Sequence, residues 1–369
     1  HEKLDAFTVK VGYPDKWKDY SSLYIDPALS YYENLRAASR WYTADNLSKL
    51  GKPTDKEEWG MSPQTVNAYY NPSTNEICFP AAILQPPFFN PEADDAMNYG
   101  AIGVVIGHEM SHGFDDQGRL FDKDGNMISW WTKEDADKFN AKAAILIKQF
   151  DEVEILPGLM ANGKLTVGEN IGDHGGISIA YSALKNATNG ENTVMDGFTT
   201  DQRFFLAYAA VWAQNIRDAE KARLTKLDVH SLAVNRVNVS LRNFQQFFDA
   251  FGIKEGDKMY RPESERVHIS YAVFCLKKEY TSGSERFCIH SQEITFPRKD
   301  SGGNDSHRLL HYNTCGCRVS GIQKRTSWRN RINIRGYQTD VPGFELYKRV
   351  KPDKKRRIIH AVTRLIDRH

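Results

Sequence analysis

His108 and His112 stand four residues apart in the run His108-Glu109-Met110-Ser111-His112. On a helix that spacing puts both imidazoles on one face, one turn apart, where they can close on a single metal ion. Glu109 lies between them in sequence, close to that face, as a carboxylate able to take a proton from a water that zinc activates. The chemistry is metal-assisted hydrolysis. Without a metal, the same run would be a helix with two partly buried, hydrogen-bonded histidines and a solvated glutamate. The residues before it weigh against that. Ala101-Ile-Gly-Val-Val-Ile-Gly107 is apolar and small, as in a buried helix, and buried polar side chains need partners.

Two histidines do not complete a catalytic zinc site, which takes three protein ligands and keeps one position open. The extended motif that supplies a third histidine six residues on has Gly118 at that position. The best remaining candidate is Glu169 in Gly168-Glu-Asn-Ile-Gly-Asp173. Glu169 and Asp173 again share a helix face. The spacing lets Glu169 bind the metal while Asp173 accepts a hydrogen bond from the far ring nitrogen of a ligand histidine. In isolation, such a pair is more often a solvated acidic face. Asp115 and Asp116 follow the motif; one of them could orient His112, and exposed loop aspartates are an equal reading. Asp122-Lys-Asp-Gly-Asn126 resembles a calcium loop but lacks the later glutamate, so it reads as a turn.

The elements that must position these residues are mostly helical. The motif helix is expected over 101–113. Thr132 followed by Asp135 resembles a capping box opening a helix to about Phe150. Further helices are expected over 27–42, 166–186, 200–221 and 241–251, the last stopped by Gly252. Val66–Tyr70 and Glu76–Phe79 are strand-like, and Asn71-Pro-Ser-Thr-Asn75 between them makes a hairpin.

The 369 residues suffice for two domains or one large one, and 40% hydrophobic residues can build a sizeable core. No apolar run is long enough for a transmembrane helix. The start, His1-Glu-Lys-Leu-Asp5, has neither an initiating methionine nor a signal-peptide pattern, so the chain is expected to begin inside a longer protein. The net charge of +2 conceals a split. Residues 270–369 hold 21 Lys/Arg against 9 Asp/Glu, whereas 1–269 hold 28 against 38. Cysteine divides similarly: Cys78 alone lies in the first segment, and Cys275, Cys288, Cys315 and Cys317 lie in the last hundred residues.

Several separate pieces resemble the neprilysin family of zinc metallopeptidases, which includes endothelin-converting enzymes and bacterial oligopeptidases. They are Asn67-Ala-Tyr-Tyr70, the segment Phe79–Phe89, Val105–Asp116 around the two histidines, Glu169–Asp173, and Asp228-Val-His-Ser231 with Arg236. Together they span about 10–269. The resemblance implies an α+β, mainly helical, thermolysin-like zincin domain with a small sheet beside the zinc helix. It implies that His108, His112 and Glu169 bind one Zn2+, that Glu109 is general base and proton shuttle, and that Asp173 orients His108. His230 would donate to the oxyanion and Arg236 would hold a substrate carbonyl. Asn67 and Ala68 would pair with the substrate main chain. Ile83, Phe88, Val104, Val105 and Trp212 would line the apolar pocket for the residue after the cleaved bond. Taken singly, these would be read as core or surface residues.

The domain expectation is a return segment from a largely missing helical cap over 1–60, a catalytic domain over 61–269, and a basic, cysteine-containing tail of unrelated character over 270–369. The expected activity is hydrolysis of short peptides on the amino side of apolar residues. The resemblance also implies an extracytoplasmic location: periplasmic, cell-surface or secreted. The alternatives are an inactive or partly active catalytic fragment, and a nucleic-acid-binding protein acting through the basic tail. A disordered or artefactual appendage and a small cysteine/histidine module are the other readings of that tail.

Overall fold

The computed structural model describes residues 1–267 and, beyond them, only strand pairs at 298–299 and 305–306. A small mixed sheet has β3 (Glu76–Pro80) at its centre. It is flanked by parallel β1 (Thr8–Gly12) and by antiparallel β2 (Tyr69–Asn71) at the edge. The hairpin link contains Asn75 with φ 51°. Its buried side chain donates to the carbonyls of Lys3 and Lys123, so this left-handed residue also ties three segments together. Pairing begins only at Tyr69, so Asn67 and Ala68 precede the strand instead of lying within it.

The helices are α1 (Glu2–Asp5), α2 (Tyr31–Leu47), α3 (Asp95–Asn98), α4 (Val104–His112), α5 (Lys133–Asp151), α6 (Val167–Ala187), α7 (Thr200–Val211), α8 (Asp218–Leu227), α9 (Ala233–Leu241) and α10 (Gln245–Phe251). Ser30 and Glu33 form a full capping box on α2. On α5 the Thr132 side chain accepts from Asp135 N–H, as the sequence suggests. The helix expected over 200–221 is instead two helices, α7 and α8, with an irregular link after Trp212. The motif helix is also shorter than expected. A π-helical turn, Tyr99–Gly103, precedes α4. There α7 presses so close that a Cβ on Gly100 would lie 2.1 Å from the Phe204 carbonyl oxygen.

Helices α4 and α6 form the centre. A Cβ on Gly176 would lie 2.4 Å from the Val104 oxygen, and one on Gly172 would lie 2.8 Å from the His108 ring. Glycine on this face of α6 is therefore what permits backbone-to-backbone approach. Three apolar clusters surround the pair. One lies between α4 and the sheet (Ile77, Phe79, Ile106, Met110). A second joins α6, α7 and α10 (Ile177, Phe204, Tyr208, Phe248). A third joins α5 to α6 (Leu146, Phe150, Ile171).

Two short hairpins, β4 (Glu154–Leu156) with β5 (Leu159–Met160) and β6 (Val194–Met195) with β7 (Phe198–Thr199), lie outside the sheet. Among the described residues no helix is long and apolar enough to cross a membrane. In the region expected as the tail, β8 (Arg298–Lys299) and β9 (Asp305–Ser306) pair antiparallel. The other tail expectations, including the disordered or artefactual appendage, the cysteine module and the nucleic-acid surface, fall outside the described residues.

Candidate metal centre and active-site cleft

His108 and His112 project from the last turns of α4, with their rings edge to face and centroids 4.5 Å apart. Each far nitrogen is fixed by a carboxylate. His108 Nδ1 lies 3.0 Å from Asp173 Oδ1, and His112 Nδ1 lies 2.7 Å from Asp115 Oδ2. Of the two aspartates after the motif, Asp115 therefore takes the orienting role. An Nδ1–H donated to a carboxylate leaves Nε2 as a bare lone pair. The two Nε2 atoms face each other at 2.9 Å. Glu169 Oε2, from the first turn of α6, lies 3.1 Å from one and 3.7 Å from the other. That oxygen is shut off from solvent and has no hydrogen bond.

With each Nδ1 committed to an aspartate, the two Nε2 atoms and the Glu169 oxygen are three electron-pair donors converging on one point. Ligand atoms about 2.0–2.1 Å from a tetrahedral zinc ion stand roughly 3.3 Å apart, so the spacing fits zinc. These three are the set among the described residues that could hold a metal ion. Three protein ligands is the count of a catalytic zinc site.

Asp173 is almost wholly buried and serves two partners. Arg236, from α9, donates to it through Nε (2.8 Å, Oδ2) and Nη2 (2.7 Å, Oδ1). Burial pushes the Asp173 carboxyl up, but the Arg236 charge and the hydrogen bonds from His108 and Arg236 prevail and hold it at about 2. The Arg236 guanidinium stacks 3.9 Å from the Trp212 ring centroid. The break after α7 matters here, because it ends the helix at the residue that carries this ring. Burial raises the Glu109 carboxyl above its ordinary value, opposed by His108, His112 and Arg236.

One cleft of about 770 Å³ is lined by all fourteen residues singled out from the sequence: Asn67, Ala68, Ile83, Phe88, Val104, Val105, His108, Glu109, His112, Glu169, Asp173, Trp212, His230 and Arg236. His230 Nε2 lies 3.2 Å from Glu169 Oε2, and its Nδ1 lies 2.8 Å from Asp228 Oδ1. Tyr208 and Val211 also line the cleft without having been anticipated, since each reads as ordinary apolar periodicity of α7. The Gly172, Gly175 and Gly176 spacing on α6 did carry a legible signal, a helix face stripped for close contact. It was not used.

A helix pair carrying two histidines, an adjoining glutamate and a third carboxylate defines a zincin-type site. The sequence matches the profile of Peptidase family M13 over residues 67–267, and the chain belongs to that family. It is 41% identical over 268 residues to the neutral endopeptidase of Lactococcus lactis subsp. lactis, covering 73% of this chain and 41% of that protein. It is 37% identical over 279 residues to human neprilysin, covering 72% and 37%. Among solved structures it resembles the Mycobacterium tuberculosis zinc metalloprotease ZMP1 in complex with an inhibitor. That match has TM-score 0.70 and 47% identity over 73% of this chain and 42% of that one. PepO from Lactobacillus rhamnosis matches with TM-score 0.67 and 36% identity over 73% and 41%. The chain spans about two fifths of the length of these relatives.

Proposed function

We propose that this chain carries the zinc-dependent endopeptidase site of its family and hydrolyses short peptides on the amino side of apolar residues. The observation that carries the reading is the convergence of His108 Nε2, His112 Nε2 and Glu169 Oε2, with both histidine tautomers set by aspartates. These residues would hold zinc, which lowers the pKa of a coordinated water and polarises a carbonyl.

The chain's own groups do the rest. Glu109 takes the proton of the attacking water and returns it to the leaving amine. Asp173 and Asp115 keep the imidazoles in their ligand tautomer. Arg236 has two nitrogens on Asp173, so its remaining Nη1 is the donor available to a substrate carbonyl. His230, half-exposed at the cleft and with its pKa raised by Glu169 and Asp228, donates as an imidazolium through Nε2 to the oxygen that gains negative charge. Asn67 and Ala68 at the sheet edge pair with the substrate main chain. Ile83, Phe88, Val104, Val105 and Trp212 receive the apolar side chain.

The domain reading extends this: 61–269 as catalytic domain and 1–60 as the segment facing the remainder of a longer protein. The second part is supported by α2, which has no buried residue, and by the exposure of Tyr24, Tyr31, Tyr32, Leu35 and Leu50. The extracytoplasmic location rests on the family resemblance.

The test is zinc content and hydrolysis of a short apolar peptide by the wild-type chain and by Glu109→Gln. The expected result is one zinc per chain in both and a loss of about 10²–10⁴-fold in kcat in the variant. Folded protein that takes up no zinc would overturn the proposal. Zinc without turnover would make this an inactive catalytic fragment.

A further inference from the structure

Lys10, Glu76 and Tyr69 form a buried polar network at the sheet, and the Tyr69 end of it reaches the lining of the cleft. Lys10 and Glu76 are 7% and 2% exposed, on adjacent parallel strands. Lys10 Nζ donates to Glu76 Oε2 at 2.7 Å and to the Glu58 carbonyl at 2.7 Å. The second Glu76 oxygen accepts from the Tyr69 hydroxyl at 2.9 Å. That hydroxyl in turn accepts from Gly60 N–H at 2.8 Å. Gly60 packs so tightly on the ring that a Cβ there would stand 3.3 Å from Tyr69 Cζ.

The network therefore clasps the return of the 13–57 excursion, at Glu58 and Gly60, to the edge strand β2. Tyr69 is the first paired residue of β2 and directly follows Asn67 and Ala68, which lie outside the ladder. Nothing in the β2–β3 register holds those two residues. Ala68 is buried in the cluster between α4 and the sheet, and the hydrogen bonds that fix the residue after it are those of Tyr69 to Glu76 and Gly60.

We propose that Tyr69, held by Glu76 and Lys10, is the positioning residue that sets the Asn67–Ala68 edge against the cleft, so that substrate binding answers to the seating of residues 58–60. The inference rests on the proposed peptidase function. Because the clasp touches neither the zinc ligands nor Glu109, its loss weakens substrate and transition state alike. Such a loss raises KM and leaves kcat in place.

The experiment compares the full wild-type chain with Tyr69→Phe on two apolar peptides. One is long enough for its main chain to reach Asn67, and the other is truncated on that side. The expected result is a rise of about fivefold to tenfold in KM for the long peptide, from loss of one buried hydrogen bond at each end of the hydroxyl. Little change is expected for the truncated peptide, with kcat within about twofold and zinc content unchanged. Should Tyr69→Phe fail to fold, Glu76→Gln serves instead. It keeps an oxygen for Tyr69 while removing the charge that holds Lys10, and a smaller rise in the same KM is expected. Turnover with an unchanged KM, or equal KM changes for both peptides, overturns this inference and leaves the peptidase reading standing. A zinc-loaded wild-type chain without turnover overturns that reading and this inference with it.

Discussion

Asp173→Asn separates what holds α6 and α9 together from what orients the metal ligand. Asp173 is 1% exposed and Arg236 6%, so solvent screens the pair little. The asparagine oxygen can keep the contacts of Oδ1, to His108 Nδ1 and Arg236 Nη2. Its amide nitrogen then meets Arg236 Nε–H, a donor against a donor. The larger effect is on charge: a buried guanidinium loses the counter-charge in contact with it. Breaking a buried pair in this way costs about 3–5 kcal/mol. Glu169 also contributes to stabilising the Arg236 charge, which favours the lower end, about 3 kcal/mol. Separately, a ligand histidine deprived of its carboxylate loses about 10–100-fold in metal affinity. By mass action that removes roughly a further 1.4–2.7 kcal/mol under saturating zinc.

The assay is denaturant unfolding of wild type and variant, metal-free and at one fixed free zinc concentration, with zinc affinity read by chelator competition. The metal-free loss should be about 3 kcal/mol and the zinc-loaded loss larger by the affinity difference. Adding Arg236→Met to Asp173→Asn should recover much of the metal-free loss but not the zinc affinity. Equal metal-free stability of wild type and Asp173→Asn would refute the charge argument. An unchanged zinc affinity would refute the orienting role.

His174 predicts a pH dependence away from the ligands. It lies 3.0 Å from the Asn170 carbonyl through Nδ1 and 3.0 Å from Asn243 Nδ2 through Nε2, so it is neutral. Burial pushes its pKa down to about 4 from 6.5. The unfolded chain therefore binds the proton first as pH falls. Stability is undiminished above 6.5 and is lost from there toward 4, by about 2 kcal/mol at pH 5. His174→Gln should flatten that part of the unfolding profile, and parallel profiles would refute the assignment. Gly176→Ala would place a methyl against the Val104 carbonyl. It should cost at least about 1–3 kcal/mol in thermal unfolding and weaken zinc binding by parting α4 from α6; a neutral substitution would sink the close-packing argument.

What the sequence disclosed best was chemistry that repeats along one helix. The His108/His112 and Glu169/Asp173 spacings each use i,i+4 geometry, so each pair could be placed on a face before any packing was known. What it disclosed poorly was set by distant contacts. The bond between Arg236 and Asp173 joins residues 63 apart in the chain, and no local pattern announces it. The break at Trp212 was missed because 200–221 has adequate helical periodicity throughout. At the stop, Trp212 stacks with Arg236 and packs on the α6–α7–α10 cluster. The π-helical turn before α4 was hidden for the same reason: its Gly100 packs against the Phe204 carbonyl, on another helix.

The pairing of charges explains why these distant contacts matter to the metal. Five carboxylates, from Glu109, Asp115, Asp116, Glu169 and Asp173, line the cleft around His108 and His112. Arg236 is the one guanidinium among the residues lining it, and it is committed to Asp173. A dication at the three converging donors would offset two of the negative charges that Glu109, Asp115 and Glu169 bring to it. Arg236 keeps the carboxylate that orients His108 from competing as a ligand, because both Asp173 oxygens are occupied. Asp115 is held in another way. Its Oδ1 accepts from the amides of Gln117 and Gly118, while Oδ2 takes His112. Two orienting aspartates are thus saturated by hydrogen bonds, whereas Glu169 and Asp116 each present a buried oxygen without one. Of these two, only the Glu169 oxygen lies close to both histidine Nε2 atoms, at 3.1 and 3.7 Å. In the proposed site, the carboxylate that would serve as ligand is the one left unsatisfied and also placed beside both Nε2 atoms.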